Sequence, residues 1–239
     1  MKYIGSKNKL SKYIAPIIQS YIDKNDVKIY FEPFVGGANM IDKIKCEKRI
    51  GNDMHKELIA LFKELQNGWI PPPDITKDTY VEIRDNKEKY PLHMVALVGF
   101  CASYNSKYFG GYAGKVNTKI GTIRNYCDES IRNLKEQIPK LLNIKFANKN
   151  YLEFDKNKIK NCVIYCDPPY ANSTEYITNN FNHDEFWDWC RELSKNNIVL
   201  ISEYNAPDNF ECIWQQEVKT HLNNRNKIIK IEKLFKLRD

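Results

Sequence analysis

The sequence predicts an α/β fold: a parallel sheet covered by helices on both faces, with one insertion. Three observations predict it. Short apolar runs of strand character alternate along the chain with stretches of helical period. Two of those runs end in a turn rich in glycine or proline with a carboxylate beside it. The alternation breaks between residues 71 and 123, a stretch that opens on Pro71-Pro72-Pro73.

Taken in order, Ser6 is placed to cap a helix whose apolar positions are Leu10, Ile14, Ile17, Ile18 and Tyr21. Residues 27–32 read as a buried strand, and Pro33-Phe34-Val35-Gly36-Gly37 as a tight turn into a short helix. Residues 49–53 are a second strand, and residues 57–65 have helical spacing that stops at Asn67-Gly68. From 71 to 123 the chain reads as irregular, with one apolar helix over 92–104 and a glycine-rich run at 108–114. An amphipathic helix is expected over 123–142, then strands over 145–147, 162–166, 198–201 and 228–234, with a helix over 183–195. The uninterrupted apolar character of Ile198-Val199-Leu200-Ile201 is that of a central parallel strand.

The 239 residues are 42% hydrophobic, enough for one core without disulfides or metals. Seven cysteines, an odd number without a Cys-x-x-Cys pair, read as reduced thiols, and the four histidines have no ligand spacing, so no metal site is expected. No apolar run approaches the ~20 residues that span a bilayer, and Met1-Lys2-Tyr3 does not begin a signal peptide. The chain therefore reads as cytoplasmic, in a bacterial or phage-infected cell, with no membrane contact and no obligate protein partner. A net charge of +7 is compatible with a polyanionic partner, and equally with a solvated surface.

Two segments carry chemistry. In Phe31-Glu32-Pro33-Phe34-Val35-Gly36-Gly37 a buried strand enters a two-glycine turn, where the backbone approaches a ligand closely. This is not a P-loop. Asp53 ends the next strand, about 20 residues on, where a carboxylate accepts from both hydroxyls of a ribose. Together they indicate a cofactor containing adenosine without saying which one. In Val163-Ile164-Tyr165-Cys166-Asp167-Pro168-Pro169-Tyr170 a strand ends in a carboxylate, two prolines and an aromatic ring. Ligands of open α/β sheets bind beyond the carboxyl ends of the strands. The prolines stiffen the loop. A carboxylate and a neighbouring carbonyl can accept both hydrogens of one planar NH2 group, drawing the nitrogen lone pair out of conjugation, while Tyr170 stacks on the ring that bears it.

At these segments the chain resembles the Dam-type DNA adenine methyltransferases, the D12 class. The order of parts is the family's: an N-terminal segment, Lys2-Tyr3-Ile4-Gly5-Ser6-Lys7, then the glycine turn, a recognition region and Asp-Pro-Pro-Tyr. The resemblance implies a Rossmann-like S-adenosylmethionine-dependent methyltransferase sheet with an inserted, mainly helical DNA-recognition domain. Residues 1–70 and 124–239 would form the catalytic domain, and 71–123 the inserted target-recognition region. It implies methyl transfer from S-adenosyl-L-methionine to N6 of a flipped adenine in a specific double-stranded DNA sequence, by an enzyme of solitary or phage type related to those of restriction-modification.

The resemblance also distributes roles. Asp167, Pro168, Pro169 and Tyr170 would be catalytic. Tyr3, Lys7, Glu32, Pro33, Phe34, Gly36, Gly37, Asp53, Asn150, Tyr151 and Asp167 would hold the cofactor. Two positions depart from the pattern: Asn150 stands where the family often has an acid, and Ala38 where it has its second glycine. By residue type, and not by the resemblance, which is weakest over 71–123, Lys2, Tyr104, Asn105, Lys107, Tyr108 and Lys115 are candidates to meet DNA, through phosphates, base edges and stacking; the alternative for the insertion is a solvated loop with core aromatics. Asn117, Lys119 and the basic tract holding Arg225, Lys227 and Lys230 are further phosphate contacts or solvated surface. Two other readings stay open: methylation of RNA adenine or protein glutamine, and a catalytically inactive DNA-binding relative.

Overall fold

The computed structural model describes residues 1–118, 120–170, 181–223 and 226–238, without the side chains of 219–223 and 226–228. Lys119 and Arg225, and the side chain of Lys227, lie outside the described residues.

Ser6 caps, but not the helix expected of it. Its hydroxyl accepts the Asn8 N–H at 3.1 Å and closes a 3-10 turn, Lys7–Lys9; helix α1 is Ser11–Lys24. Ile14, Ile18 and Ile22, four residues apart, form its buried stripe. Strand β1 (Ile29–Glu32) follows, then the glycine turn, which leads only into a single 3-10 turn, Ile41–Lys43, in place of a helix. Strand β2 is Lys48–Asn52 and helix α2 is Lys56–Gln66, with Leu58, Leu61, Phe62 and Leu65 buried. Gly68, at φ +90°, ends α2: its N–H reaches the Leu65 carbonyl at 3.3 Å and the next N–H reaches Glu64 at 2.9 Å.

The stretch read as irregular holds a helix, α3 (Lys77–Asp85), capped by Thr76, whose hydroxyl accepts the Thr79 N–H at 3.1 Å. Only Tyr80 and Ile83 of α3 are buried, so its apolar stripe is too short to show as a period. Helix α4 (Leu92–Ala96) passes into one π-turn, Leu97–Cys101, and the helix predicted to 104 ends there. Strands β3 (Lys115–Asn117) and β4 (Ile123–Asn125) pair antiparallel. Because residues 123–125 belong to that pair, helix α5 begins at Tyr126 and runs to Leu141. The Asn125 side chain caps it, accepting the N–H groups of Cys127 and Asp128 at 3.1 and 3.3 Å.

Strands β5 (Ile144–Ala147) and β6 (Cys162–Cys166), helix α6 (His183–Ser194) and strand β7 (Ile198–Glu203) fall where the sequence places them. The chain then forms two long strands, β8 (Phe210–Asn223) and β9 (Asn226–Leu237), of which the sequence suggested only part of the second. Polar Glu211, Gln215, Gln216 and Glu217 hide the period of β8.

Seven strands form one sheet in the order β5-β2-β1-β6-β7-β9-β8. Pairs β1/β6 and β6/β7 are parallel, with Phe31 opposite Ile164 and Ile164 opposite Val199. Pairs β7/β9 and β8/β9 are antiparallel, so the all-parallel expectation is corrected to a mixed α/β sheet. A hairpin made of consecutive strands can only pair antiparallel.

Two compact units result. One comprises Met1–Lys12, Val35–Ile44 and Gly51–Lys149, and so contains all of residues 71–123; the other comprises Tyr13–Phe34, Lys45–Ile50 and Asn150–Asp239. In the first, Phe62 stacks on Phe146 at 4.9 Å and Tyr3 meets Phe100 at 5.3 Å. In the second, Phe31, Ile164, Phe186, Trp189, Val199 and Ile201 anchor a core between sheet and α6. Among the described residues no helix is long and apolar enough to cross a membrane.

Candidate active site

In the first unit the glycine turn is built around Tyr3. A Cβ added to Gly37 would lie 2.7 Å from the Tyr3 Cβ and 2.6 Å from Asn39 Nδ2, and one on Gly36 would lie 3.1 Å from the Tyr3 ring. Gly36 is left-handed at φ +46°. Ala38 is left-handed too, at φ +55°, fully buried, its N–H donating to the Val35 carbonyl at 2.9 Å. A left-handed alanine costs about 1–2 kcal/mol relative to the right-handed form, so this position retains a glycine's backbone without a glycine.

Asp53 stands just beyond β2. Its two oxygens accept from the backbone N–H groups of Gly36, at 3.0 Å, and of His55, at 2.9 Å. Burial raises its pKa, and those N–H groups oppose the rise. Val35 donates to the Asn52 carbonyl at 2.7 Å and Asn148 to the Asp53 carbonyl at 2.8 Å, which fixes turn, β2 and β5 together. Beside them His55, Phe100 and Tyr108 form an aromatic cluster, His55–Tyr108 at 4.5 Å and Phe100–Tyr108 at 5.0 Å. Burial lowers the His55 pKa against the pull of Glu57 and Asp53. His55 Nδ1 is 3.2 Å from Glu57 Oε2 but without hydrogen-bond geometry.

Lys7 is buried, and Lys2 pairs with Glu129 at 3.1 Å. Tyr104, Asn105, Lys107 and Lys115 are exposed, Asn105 in a left-handed turn at φ 52°. Tyr108 is half-buried within the aromatic cluster, which a solvated loop would not require; the Gly99 Cα leaves it space, since a Cβ there would meet its ring at 2.6 Å.

In the second unit, Glu32 is buried at the end of β1 and accepts the Tyr30 phenol at 2.6 Å. Phe34 packs on Tyr151 at 5.1 Å, and Tyr151 meets Trp189 edge-on. Asn150 caps the 3-10 turn Tyr151–Glu153: its side chain accepts the Leu152 N–H at 3.0 Å while the Glu153 carboxylate accepts its N–H at 2.9 Å. The Asn150 side chain thus shapes the backbone at Tyr151.

All five residues of β6 are buried, and Asp167, Pro168, Pro169 and Tyr170 follow directly. Pro168 is buried and the other three are half-buried. The Tyr170 phenol donates to the Glu232 carboxylate of β9, and its ring meets Tyr204 edge-on at 4.7 Å and 89°. Burial first, then the charges of Asp167 and Glu232, hold the Tyr170 phenol neutral, well above its ordinary range. Burial and Asp167 do the same to Tyr165, whose hydroxyl is 2.8 Å from Ser202.

The sequence reading missed Glu203, Tyr204 and Glu232. Glu203 and Glu232 are buried carboxylates. Their signal was present: Glu203 ends an apolar parallel strand, the position that also singled out Asp53 and Asp167, and Glu232 interrupts the inward-facing series that includes Leu234.

Residues 3–236 match the model of the D12 class N6 adenine-specific DNA methyltransferases. The chain is 28% identical over 221 residues to the modification methylase StsI of Streptococcus sanguinis, covering 83% of this chain but only 32% of that protein. It is 24% identical over 243 residues to the type II methyltransferase M.MjaIII of Methanocaldococcus jannaschii, 86% of this chain and 84% of that one. With the DNA adenine methylase of Salmonella typhi it shares 25% over 247 residues, 93% of this chain and 85% of that one. A match running through nearly the whole chain, from Tyr3 past the Asp167–Tyr170 loop to β9, makes this protein a member of the D12 class of N6 adenine-specific DNA methyltransferases.

Proposed function

We propose that the chain transfers a methyl group from S-adenosyl-L-methionine to N6 of an adenine flipped out of double-stranded DNA. What supports this most is the Asp167-Pro168-Pro169-Tyr170 loop, carried on a fully buried parallel strand of a member of this family.

The donor set fits the cofactor. An ionised carboxylate offers about four acceptor positions. Asp53 uses one for Gly36 and one for His55, so its oxygens retain capacity for the hydroxyls of a ribose. Tyr3, Lys7, Glu32, Pro33, Phe34, Gly36, Gly37, Asn150, Tyr151 and Asp167 complete the proposed binding set. When bound, S-adenosyl-L-methionine supplies the electrophilic methyl group.

The chain's residues do the rest. Adenine inside a duplex is out of reach, and flipping it costs a few kcal/mol. Stacking on Tyr170 offsets roughly 1–3 kcal/mol of that. Asp167 and the Pro168 carbonyl accept the two amino hydrogens, which localises the lone pair on N6, and Asp167 takes the proton released on transfer. The stiff loop limits the geometries open to the nucleophile. Residues 71–123 are the proposed target-recognition region, with Lys2, Tyr104, Asn105, Lys107, Tyr108 and Lys115 toward DNA. The solitary or phage type belongs to the same proposal.

Asp167→Ala is expected to bind cofactor but transfer no labelled methyl to DNA; near-normal turnover would overturn the mechanism. Sequencing DNA from a host expressing the chain, with detection of N6-methyladenine, gives the recognition sequence.

A further inference from the structure

The Tyr170 ring is the proposed platform for the flipped base, and its position is set by residues far along the chain. Tyrosine has two soft torsions, and a stacking surface is useful only when both are fixed before the base arrives. Backbone stiffness from Pro168 and Pro169 does not fix them. Two contacts do. The phenol donates to Glu232, which pins the far end of the ring. Tyr204 packs edge-on at 89°, which opposes rotation of the ring about its long axis. Tyr204 is itself covered by Lys230, whose Nζ is 4.6 Å from the ring centroid.

These residues come together through sheet order. Asp167 follows β6, Tyr204 follows β7, and Lys230 and Glu232 belong to β9, the next strand. In the antiparallel β7/β9 register Ser202 faces Leu234 and Glu203 faces Lys233, so one further step sets Tyr204 across from Glu232. Lys230 and Glu232 are two residues apart on one strand and therefore share a face. Glu232 is only 3% exposed. Burying a carboxylate is costly unless hydrogen bonds compensate, and an apolar residue here would pack without that cost. One hydrogen bond that offsets this cost is the one Glu232 accepts from the Tyr170 phenol.

We propose that Glu232 is a positioning residue for methyl transfer, acting through its hydrogen bond to Tyr170, with Tyr204 bracing the same ring. In this role Glu232 acts through the phenol it binds, so its effect falls on presentation of the base and not on cofactor affinity. The inference rests on the reading of Tyr170 as the base platform.

The test is steady-state methylation of unmethylated genomic DNA with labelled S-adenosylmethionine, together with thermal unfolding and the cofactor Kd. Glu232→Leu is expected to lower kcat about tenfold or more, since small misplacements of positioned groups are costly, while leaving the cofactor Kd within twofold. Glu232→Gln keeps an acceptor for the phenol and is expected to restore most of the rate. Tyr170→Phe removes only the hydroxyl and so tests the same bond from the other end without touching the buried strand. If the bond is what matters, Glu232→Leu combined with Tyr170→Phe loses no more than the worse single variant. Wild-type kcat in Glu232→Leu or in Tyr170→Phe would overturn the proposal. So would additive losses in the pair, or a loss that Glu232→Gln does not relieve. If the wild-type chain itself leaves adenine in DNA unmethylated, the functional reading fails, which is a different outcome from any of these.

Discussion

The Gly36 amide donates to Asp53 Oδ2 over 3.0 Å, and the other oxygen of the same carboxylate takes the His55 N–H at 2.9 Å. One side chain thereby holds the glycine turn against the end of β2. Asp53→Ala strips two backbone donors of their acceptor, at about 1–3 kcal/mol for each group left buried without a partner. Chemical denaturation is expected to show a loss of stability in that range, and calorimetry a fall in cofactor affinity of about tenfold or more. Unchanged affinity would remove Asp53 from the proposed ribose site.

The glycines can be ranked. Gly37→Ala sets a Cβ 2.6 Å from Asn39 Nδ2 and 2.7 Å from the Tyr3 Cβ, so the N-terminal segment must shift. Gly68→Ala meets nothing within 4 Å and bears only the strain of φ +90°. The first is expected to cost about 1–3 kcal/mol, as overpacking does, and the second about 1 kcal/mol. Melting temperatures of the two variants check the order.

Ala38→Gly should stabilise. The residue sits at φ +55° and is fully buried, so glycine removes backbone strain at the expense of one methyl group and some unfolded-state entropy. A gain of up to about 1 kcal/mol is expected, seen as a rise in Tm. A fall would show that the buried methyl outweighs the strain.

The Arg124 guanidinium, with Lys2, holds Glu129 at about 2 against its ordinary 4.5, despite some opposing burial. A carboxylate depressed in the folded state contributes stability that is fully present above the unfolded value and is lost as pH falls through the folded one. Wild-type stability should therefore decline between pH 4.5 and about 2, and Glu129→Gln should flatten that part of the curve. Urea titrations at pH 3 and pH 6 on both proteins measure it.

Lys107 and Lys115 are exposed in the region proposed to read DNA. Replacing both with alanine should weaken binding and reduce the slope of log K against log salt by roughly 2, since each phosphate left without its lysine takes away about 0.9. An unchanged slope would place both on solvated surface.

The strand leading into Asp167, the glycine turn and the acid after β2 are legible because each signal is contained within a few consecutive residues: an apolar run, then a turn and a charge. Helix α3 and strand β8 were not, because their buried positions are too few or too interspersed with polar residues to form a period. The sequence by itself determined the alternation of strands and helices, the place of the Asp167–Tyr170 loop at the end of a buried strand, and the family the chain belongs to. Tertiary structure alone decided which distant residues hold those segments in place. Gly37 must lack a side chain because Tyr3 lies against it, and Tyr170 is tied to Glu232 across 62 residues. Neither follows from local pattern, since a periodic signal reports which face of one element is buried, whereas the first contact joins segments 34 residues apart and the second depends on the order of strands in the sheet and on the antiparallel run of β9.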